Sequence, residues 1–369
     1  MPDVLDLFTE LAAIPSPPGE ERAVADVVSA YLRDCALDVD EDDAGERIGA
    51  TAGNLYTRLE PTAPGTPIFL CAHLDTVPPT GPIEPLVDDE GVVRNAAGTI
   101  LGADDKAAVA VMLEATRRVL SEGRRHAGIE LLFTPKEEVG LVGASAFDES
   151  RLAARHGFVY DQAAPIGEVI LGAPYSQAIE VTFQGRASHA GMHPEEGRNA
   201  IAAAARAIAD LRLGQVDDQS TANVGVIHGG VASNIVAERC MFVAEARSHD
   251  ERRLADLVQE MLESISFAAE TSDCRVDVEL RKSYRGYRFK RDDQVVLFAS
   301  EAFARSGREV RFGLSGGGAD ANVFNERGLQ CLNLANGMVD IHTPDERIAV
   351  ADLEAMVDVT LALVDAALA

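Results

Sequence analysis

Apolar residues recur at helical spacing in the first segment (Val4, Leu5, Phe8, Leu11, Ala12), and Pro15, Pro17, Pro18 and Gly19 break the pattern before a second helical stretch near residues 20–37. Two helices are therefore expected to open the chain. Short apolar or β-branched runs follow at 54–59, 67–75, 128–133, 157–161 and 169–172, with a helical stretch at 106–121 between the second and the third. Strands alternating with helices predict an α/β domain on one mostly parallel or mixed sheet flanked by helices. From about Ser176 the order becomes strand (178–184), helix (197–213), two strands (221–228 and 233–247), helix (250–267) and strand (274–282). This βαββαβ order is that of a small ferredoxin-like sandwich. A helix at 298–306, a strand ending at Asn333 and an acidic helix at 351–368 then resume the first style. The expected organisation is a discontinuous main domain, residues 1–175 and 285–369, interrupted by an inserted domain at 176–284.

Composition narrows the function classes. Lys and Arg total 33 against 60 Asp and Glu, a net charge of −27 that phosphate backbones would repel, so a nucleic-acid partner is not expected. Hydrophobic residues make up 47% and charged residues 25%, the balance of a chain that folds. The first 19 residues hold Asp3, Asp6 and Glu10 without Lys or Arg, and no run of about 18 apolar residues occurs. Neither an export signal nor a membrane partner is expected. Cys35, Cys71, Cys240, Cys274 and Cys331 form no C-x-x-C pair, which suits a reducing, cytoplasmic setting.

The residues able to carry chemistry gather at strand ends. His73 closes an apolar run, with Asp75 two positions on and, in an extended chain, on the same face, where its carboxylate would orient the imidazole. Gly102-Ala103-Asp104-Asp105-Lys106 leads into the helical stretch, Glu137-Glu138 follows the next strand, and Asp161 ends another. An acid pair such as Glu137-Glu138 can divide into one ligand and one general base. His342 lies in a turn-rich segment before the last helix. Taken singly, each has a bland reading: an ion-paired histidine, an acidic helix cap, a solvated turn. Together they form a mixed N/O donor set, which favours borderline divalent ions such as zinc, spread widely enough for two metals that share one carboxylate.

The segments His73-Leu74-Asp75, Gly102 to Lys106, Glu137 to Gly140, Asp161, Gly185-Arg186-Ala187-Ser188-His189-Ala190-Gly191 and Ile341-His342-Thr343-Pro344 occur in an order that resembles the dinuclear zinc peptidase and aminoacylase family, and most closely its peptidase T (tripeptide aminopeptidase) branch. The resemblance implies that His73 and Asp161 bind one metal, Glu138 and His342 the other, and that Asp104 bridges both, with Lys106 setting the register. It further implies that Asp75 orients His73, that Glu137 is the general base and that His189 acts over the reacting carbonyl without binding metal. Arg247 suits capture of a substrate carboxylate, and Ser315-Gly316-Gly317 offers a tight turn whose backbone N–H groups could approach a bound peptide. A solvated histidine, an Arg247 paired with Asp250 or Glu251, and a flexible turn are the bland readings of these three. The implied cofactors are two divalent ions, zinc first, with cobalt or manganese possible. The expected function is removal of the N-terminal residue from short peptides, Asp161 being the feature that favours it. The alternatives are a deacylase or carboxypeptidase on the same metals and a non-catalytic metal-dependent binding protein. A homodimer through the inserted domain is a further expectation.

Overall fold

The computed structural model describes residues 3–369, and the chain divides into two compact units, one running to Ala173 and resuming over Arg288–Ala369, the other Pro174–Tyr287. The first is a mixed α/β unit. Its eight-stranded sheet has the order Asp40–Glu41, Leu55–Leu59, Ile129–Thr134, Ile68–His73, His156–Val159, Gln330–Leu334, Glu168–Ile170, Arg311–Gly313. The four central strands, Ile129–Thr134 through Gln330–Leu334, are mutually parallel, and antiparallel neighbours flank them. Parallel central strands are covered on both faces, which is why Ile68–His73 and Ile129–Thr134 are buried at every position.

Side chains along Ile68–His73 alternate between two environments. Ile68, Leu70 and Ala72 join a large core with the helices Val4–Ala12, Arg22–Asp34, Ala103–Ser121, Gln294–Arg305 and Val350–Ala366. Ala103–Ser121 is buried along most of its length because alanines (Ala107, Ala108, Ala110, Ala115) allow neighbouring helices close approach. On the other side, Phe69 meets Phe324 edge to face at 5.1 Å, and Cys71 contacts Asp320, both on the short helix Asp320–Glu326. His73, two residues beyond Cys71, follows this second alternation. Register pairs His73 with Thr134 and Cys71 with Val159. The parallel strands thus deliver their carboxyl ends to one edge, where α/β sheets place ligands.

Among the strands that escaped the periodicity are the three of a smaller sheet. Pro85–Val87 and Val92–Asn95 form a hairpin to which Arg347–Ala349 adds. Each is only three or four residues long, too short for an alternation to stand out.

The second unit carries a five-stranded antiparallel sheet in the order Gly214–Asp217, Ser220–Gly229, Arg239–Ser248, Tyr175–Gln184, Arg275–Tyr284. The apolar faces of helices Ala200–Asp210 and Glu251–Thr271 pack with Ile179, Val181, Phe183, Phe242 and Ala244 in one core. Gly214–Asp217 is an extra strand beyond the expected βαββαβ, a four-residue hairpin arm too short to show a period.

Candidate metal centre

Six of the expected residues meet at the carboxyl edge of the first unit's central strands. His73 is the last residue of its strand, and its Nδ1 lies 2.9 Å from the main-chain oxygen of Asp75. A carbonyl oxygen only accepts, so Nδ1 carries the proton and Nε2 presents a lone pair when the ring is neutral. That Nε2 stands 3.2 Å from Asp104 Oδ1. Asp104 Oδ2 is 3.0 Å from His342 Nε2, which also lies 3.0 Å from Glu138 Oε1. One carboxylate is thereby shared between two imidazoles. His73, Glu137 and Asp161 offer donor atoms within 4.8 Å of one another, as do His73, Asp104 and Glu138.

Asp75 is placed differently from the expectation. The strand ends at His73, so the extended alternation that would aim the Asp75 carboxylate at the imidazole no longer applies, and that carboxylate stays 3.7 Å from Nδ1. Its oxygens instead accept from the main-chain N–H groups of Glu137 (2.9 Å) and Glu138 (3.2 Å). Asp75 orients His73 through its carbonyl and the Glu137-Glu138 turn through its side chain. The turn itself is closed by Gly140 and Leu141 donating to the Glu137 carbonyl, with Lys136 at φ +56°. Asp161 is held through reciprocal bonds with Asn333: its N–H donates to Oδ1 (3.0 Å), and Asn333 Nδ2 donates to its carbonyl (2.5 Å).

So many buried acids carry an electrostatic cost. Burial, followed by neighbouring carboxylates, pushes Asp161 and Glu137 well above the ordinary carboxylate range, and burial does the same to Asp105. Burial also pushes on Asp104, but hydrogen bonds from His342 and His73 outweigh it and hold this carboxyl below its usual range. Hydrogen bonds to Asp104 and Glu138 raise His342 to about 10. In the ion-free chain, protons on the imidazoles neutralise the acids; divalent cations would do so more fully.

The donor set fits such ions. Once deprotonated, His73 would present a lone pair on the side of the Asp104 carboxylate, and buried Asp105 Oδ1 accepts no hydrogen bond. Zinc bonds of about 2.0–2.2 Å at tetrahedral angles set their donors roughly 3.3–3.5 Å apart. The 3.0–3.2 Å contacts around Asp104 fall a few tenths of an ångström short of that span, a gap that a small outward shift of the donors would close.

The other expected residues have local partners of their own. His189 belongs to the second unit and is exposed; its Nδ1 accepts from the N–H groups of Gly191 (3.2 Å) and Met192 (3.1 Å), which puts the proton on Nε2. Arg247, also there, pairs with Glu245 (2.9 Å), its neighbour on the same strand face. Asp250 instead caps the following helix, and Glu251 pairs with Arg285. In the first unit, Ser315 Oγ accepts from Gly317 N (3.0 Å), which tightens the turn around Gly316.

Two buried acids were not singled out from the sequence. Asp320 accepts from Thr134 (2.5 Å), and burial raises it to about 6. Glu346 accepts from the loop that carries Asp104. Neither has a local motif; only the fold brings them in.

The family model for Peptidase family M20/M25/M40 matches residues 69–366. Among curated relatives, the uncharacterized protein YqjE of Bacillus subtilis is 36% identical, with 99% of this chain and 98% of that protein covered. The aminopeptidase PepT of Bacillus cereus superposes with a TM-score of 0.86 at 36% identity over 99% of this chain and 98% of its own. A Staphylococcus aureus tripeptidase gives a TM-score of 0.91 at 35% identity over 98% and 96%. Agreement in sequence and in fold along nearly the full length places the chain in peptidase family M20/M25/M40, among the hydrolases of peptide bonds.

Proposed function

We propose that this peptidase is a two-metal aminopeptidase that removes the N-terminal residue from short peptides. The sharing of the Asp104 carboxylate between His73 and His342 carries the reading, because a carboxylate with a nitrogen donor at each oxygen is what two adjacent cations require. Family M20 includes dinuclear metal-binding peptidases, and close relatives act as an aminopeptidase and a tripeptidase. His73 and Asp161 would hold one ion, Glu138 and His342 the other, and Asp104 both. When bound, the ions supply Lewis acidity at the scissile carbonyl and lower the pKa of the attacking water. Zinc is the proposed metal, with cobalt and manganese as test cases.

Glu137 is the proposed general base. Its main-chain N–H is held by Asp75, which aims a buried carboxylate toward the His73–Asp161 side of the site. There it takes a proton from water and returns it to the leaving amine. His189, with its proton on Nε2, is the proposed donor to the carbonyl oxygen, and Arg247 the proposed reader of the substrate's terminal carboxylate. Ser315, Gly316 and Gly317 are proposed to line the peptide with main-chain N–H groups.

The experiment reloads metal-stripped protein with zinc, cobalt or manganese and offers free tripeptides, N-acetylated tripeptides and N-acyl amino acids, with products read by mass. Release of the N-terminal residue from free tripeptides only is expected. Faster turnover of N-acyl amino acids, or release from the carboxyl end, would overturn the reading. Arg247→Lys keeps the charge and loses the fork. It is expected to lower kcat/KM for free tripeptides at least about tenfold, ~1.4 kcal/mol, with little effect on C-terminally amidated ones. Equal losses on both would assign Arg247 to the fold.

A further inference from the structure

The helix Ala103–Ser121 begins without a side-chain cap of its own. Gly102 occupies its N-cap at φ +77°, and Asp104 and Asp105 depart from helical φ/ψ. Helix starts leave main-chain N–H groups without intrahelical acceptors, and here a residue more than 240 positions away receives them. Glu346 Oε2 accepts from Leu101 N and Gly102 N at 2.8 Å each, and Oε1 accepts from Asp104 N at 3.0 Å. The side chain is 2% exposed. Charge-assisted bonds of this kind are roughly twice as strong as neutral ones.

The same glutamate closes the turn that carries His342. Glu346 N donates to Thr343 O (3.2 Å), Thr343 Oγ1 donates to Asp340 O (2.7 Å), and Arg347 pairs with the Asp340 carboxylate. Asp340 and His342 both adopt left-handed backbone conformations, at φ +54° and +64°. A turn of that kind persists only where its surroundings hold it. One side chain therefore ties the main chain at Asp104 to the turn of His342, and the two functional groups stand 3.0 Å apart. His73 is held by its strand and Asp161 by Asn333, neither through Glu346.

We propose that Glu346 is a positioning residue that sets the span between Asp104 and His342, and with it the affinity of the metal position they share. The inference rests on the two-metal reading. It requires that loosening Glu346 weaken the ion between Asp104 and His342 more than the ion held by His73 and Asp161, because the former loses the restraint on two donors and the latter on one.

The test titrates zinc into metal-stripped full-length protein by calorimetry and records thermal unfolding, for wild type, Glu346→Gln and Glu346→Asp. Wild type is expected to bind two ions. Glu346→Gln keeps the size but turns an amide N–H₂ toward N–H donors; it is expected to weaken one ion about 10–100-fold, the usual cost of losing a partner behind a ligand, and to shift the other less. Glu346→Asp keeps the charge but is one methylene too short to reach all three N–H groups, so the same ion is expected to weaken. Turnover of Glu346→Gln should fall at limiting zinc and recover in excess zinc without a change in KM. Two ions bound at wild-type affinity, whatever the melting temperature, would reduce Glu346 to a helix cap and overturn the proposal. If Glu346→Gln does not fold, Glu346→Asp decides by the same criterion. Fewer than two ions in wild type would overturn the two-metal reading instead.

Discussion

At the scale of single residues, the two adjacent glutamates have separate tasks although their main-chain N–H groups share one acceptor, Asp75. Glu138 faces His342 and Asp104, whereas Glu137 lies with His73 and Asp161. A base acts on water without holding the ion, so Glu137→Gln is expected to cut turnover roughly 10²–10⁴-fold while both ions remain bound. Metal analysis of the purified variant checks this, and loss of an ion would exchange the roles of Glu137 and Glu138. The two acids after Ala103 are also separable. Asp104 presents an oxygen to each imidazole, while Asp105 meets the His73 main-chain N–H at 3.4 Å. Asp104→Ala is therefore expected to lose more metal than Asp105→Ala, and the reverse order would shift the bridge by one residue. His73, Glu137, Glu138 and Asp161 were legible because each follows an apolar run, whereas Asp104 enters a helix and His342 lies in a turn. What stayed hidden depended on where a strand stops: with the chain leaving extended conformation after His73, Asp75 turns its carboxylate to Glu137 and Glu138. Asp320 and Glu346 had no local signature, since their partners Thr134 and Leu101 lie far away in sequence.

At the scale of elements, periodicity located the long helices and the buried strands, whose apolar faces must meet a core. It missed Ala44–Ile48, Val142–Ala146 and Asp320–Glu326, each seven residues or fewer, because two turns are too few for a 3.6-residue period to emerge. Nor does it reveal cross-strand fit. Gly157 stands opposite Phe69, and a methyl group on it would lie 2.0 Å from the Phe69 ring. That ring cannot retreat, because Phe324 backs it at 5.1 Å. Gly157→Ala is expected to cost about 1–3 kcal/mol by overpacking, at roughly 2–4 °C per kcal/mol for a unit of this size. An unchanged melting temperature would mean that the central strands part more readily than their burial implies.

At the scale of the whole molecule, the gathering of buried acids makes stability depend on pH in opposite ways with and without metal. Asp161, Glu137 and Asp105 have folded values above their ordinary 3.8 to 4.5, so above about pH 4 the folded, ion-free state binds more protons than the unfolded chain, and stability falls as pH rises. His342, raised from 6.5 to about 10, contributes stability that is fully present below 6.5 and is lost as pH climbs through 10; His73, also raised, acts in the same direction. Asp104 has the opposite sign, but its contribution is lost only as pH falls below the ordinary 3.8. Between pH 6.5 and 9 the two histidines lose stability as pH rises and the raised acids act in the same direction, whereas Lys106, which burial lowers to about 7, acts against them. With two imidazoles set against one ammonium, metal-stripped protein should melt at a lower temperature at pH 9 than at 6.5. Bound ions reverse the balance, because they need deprotonated donors and stabilise in proportion to the logarithm of their affinity. The gap in melting temperature between zinc-loaded and stripped protein should accordingly widen across this window. Repulsion arising from the net charge of −27 is a poor rival explanation, since exposed carboxylates are already ionised at pH 6.5. Repeating both melts in 1 M salt, where the Debye length shrinks to about 3 Å, would suppress a surface effect and leave a buried one. A stripped protein that gains stability from pH 6.5 to 9 at either salt concentration would show that the gathered acids do not govern the ion-free fold.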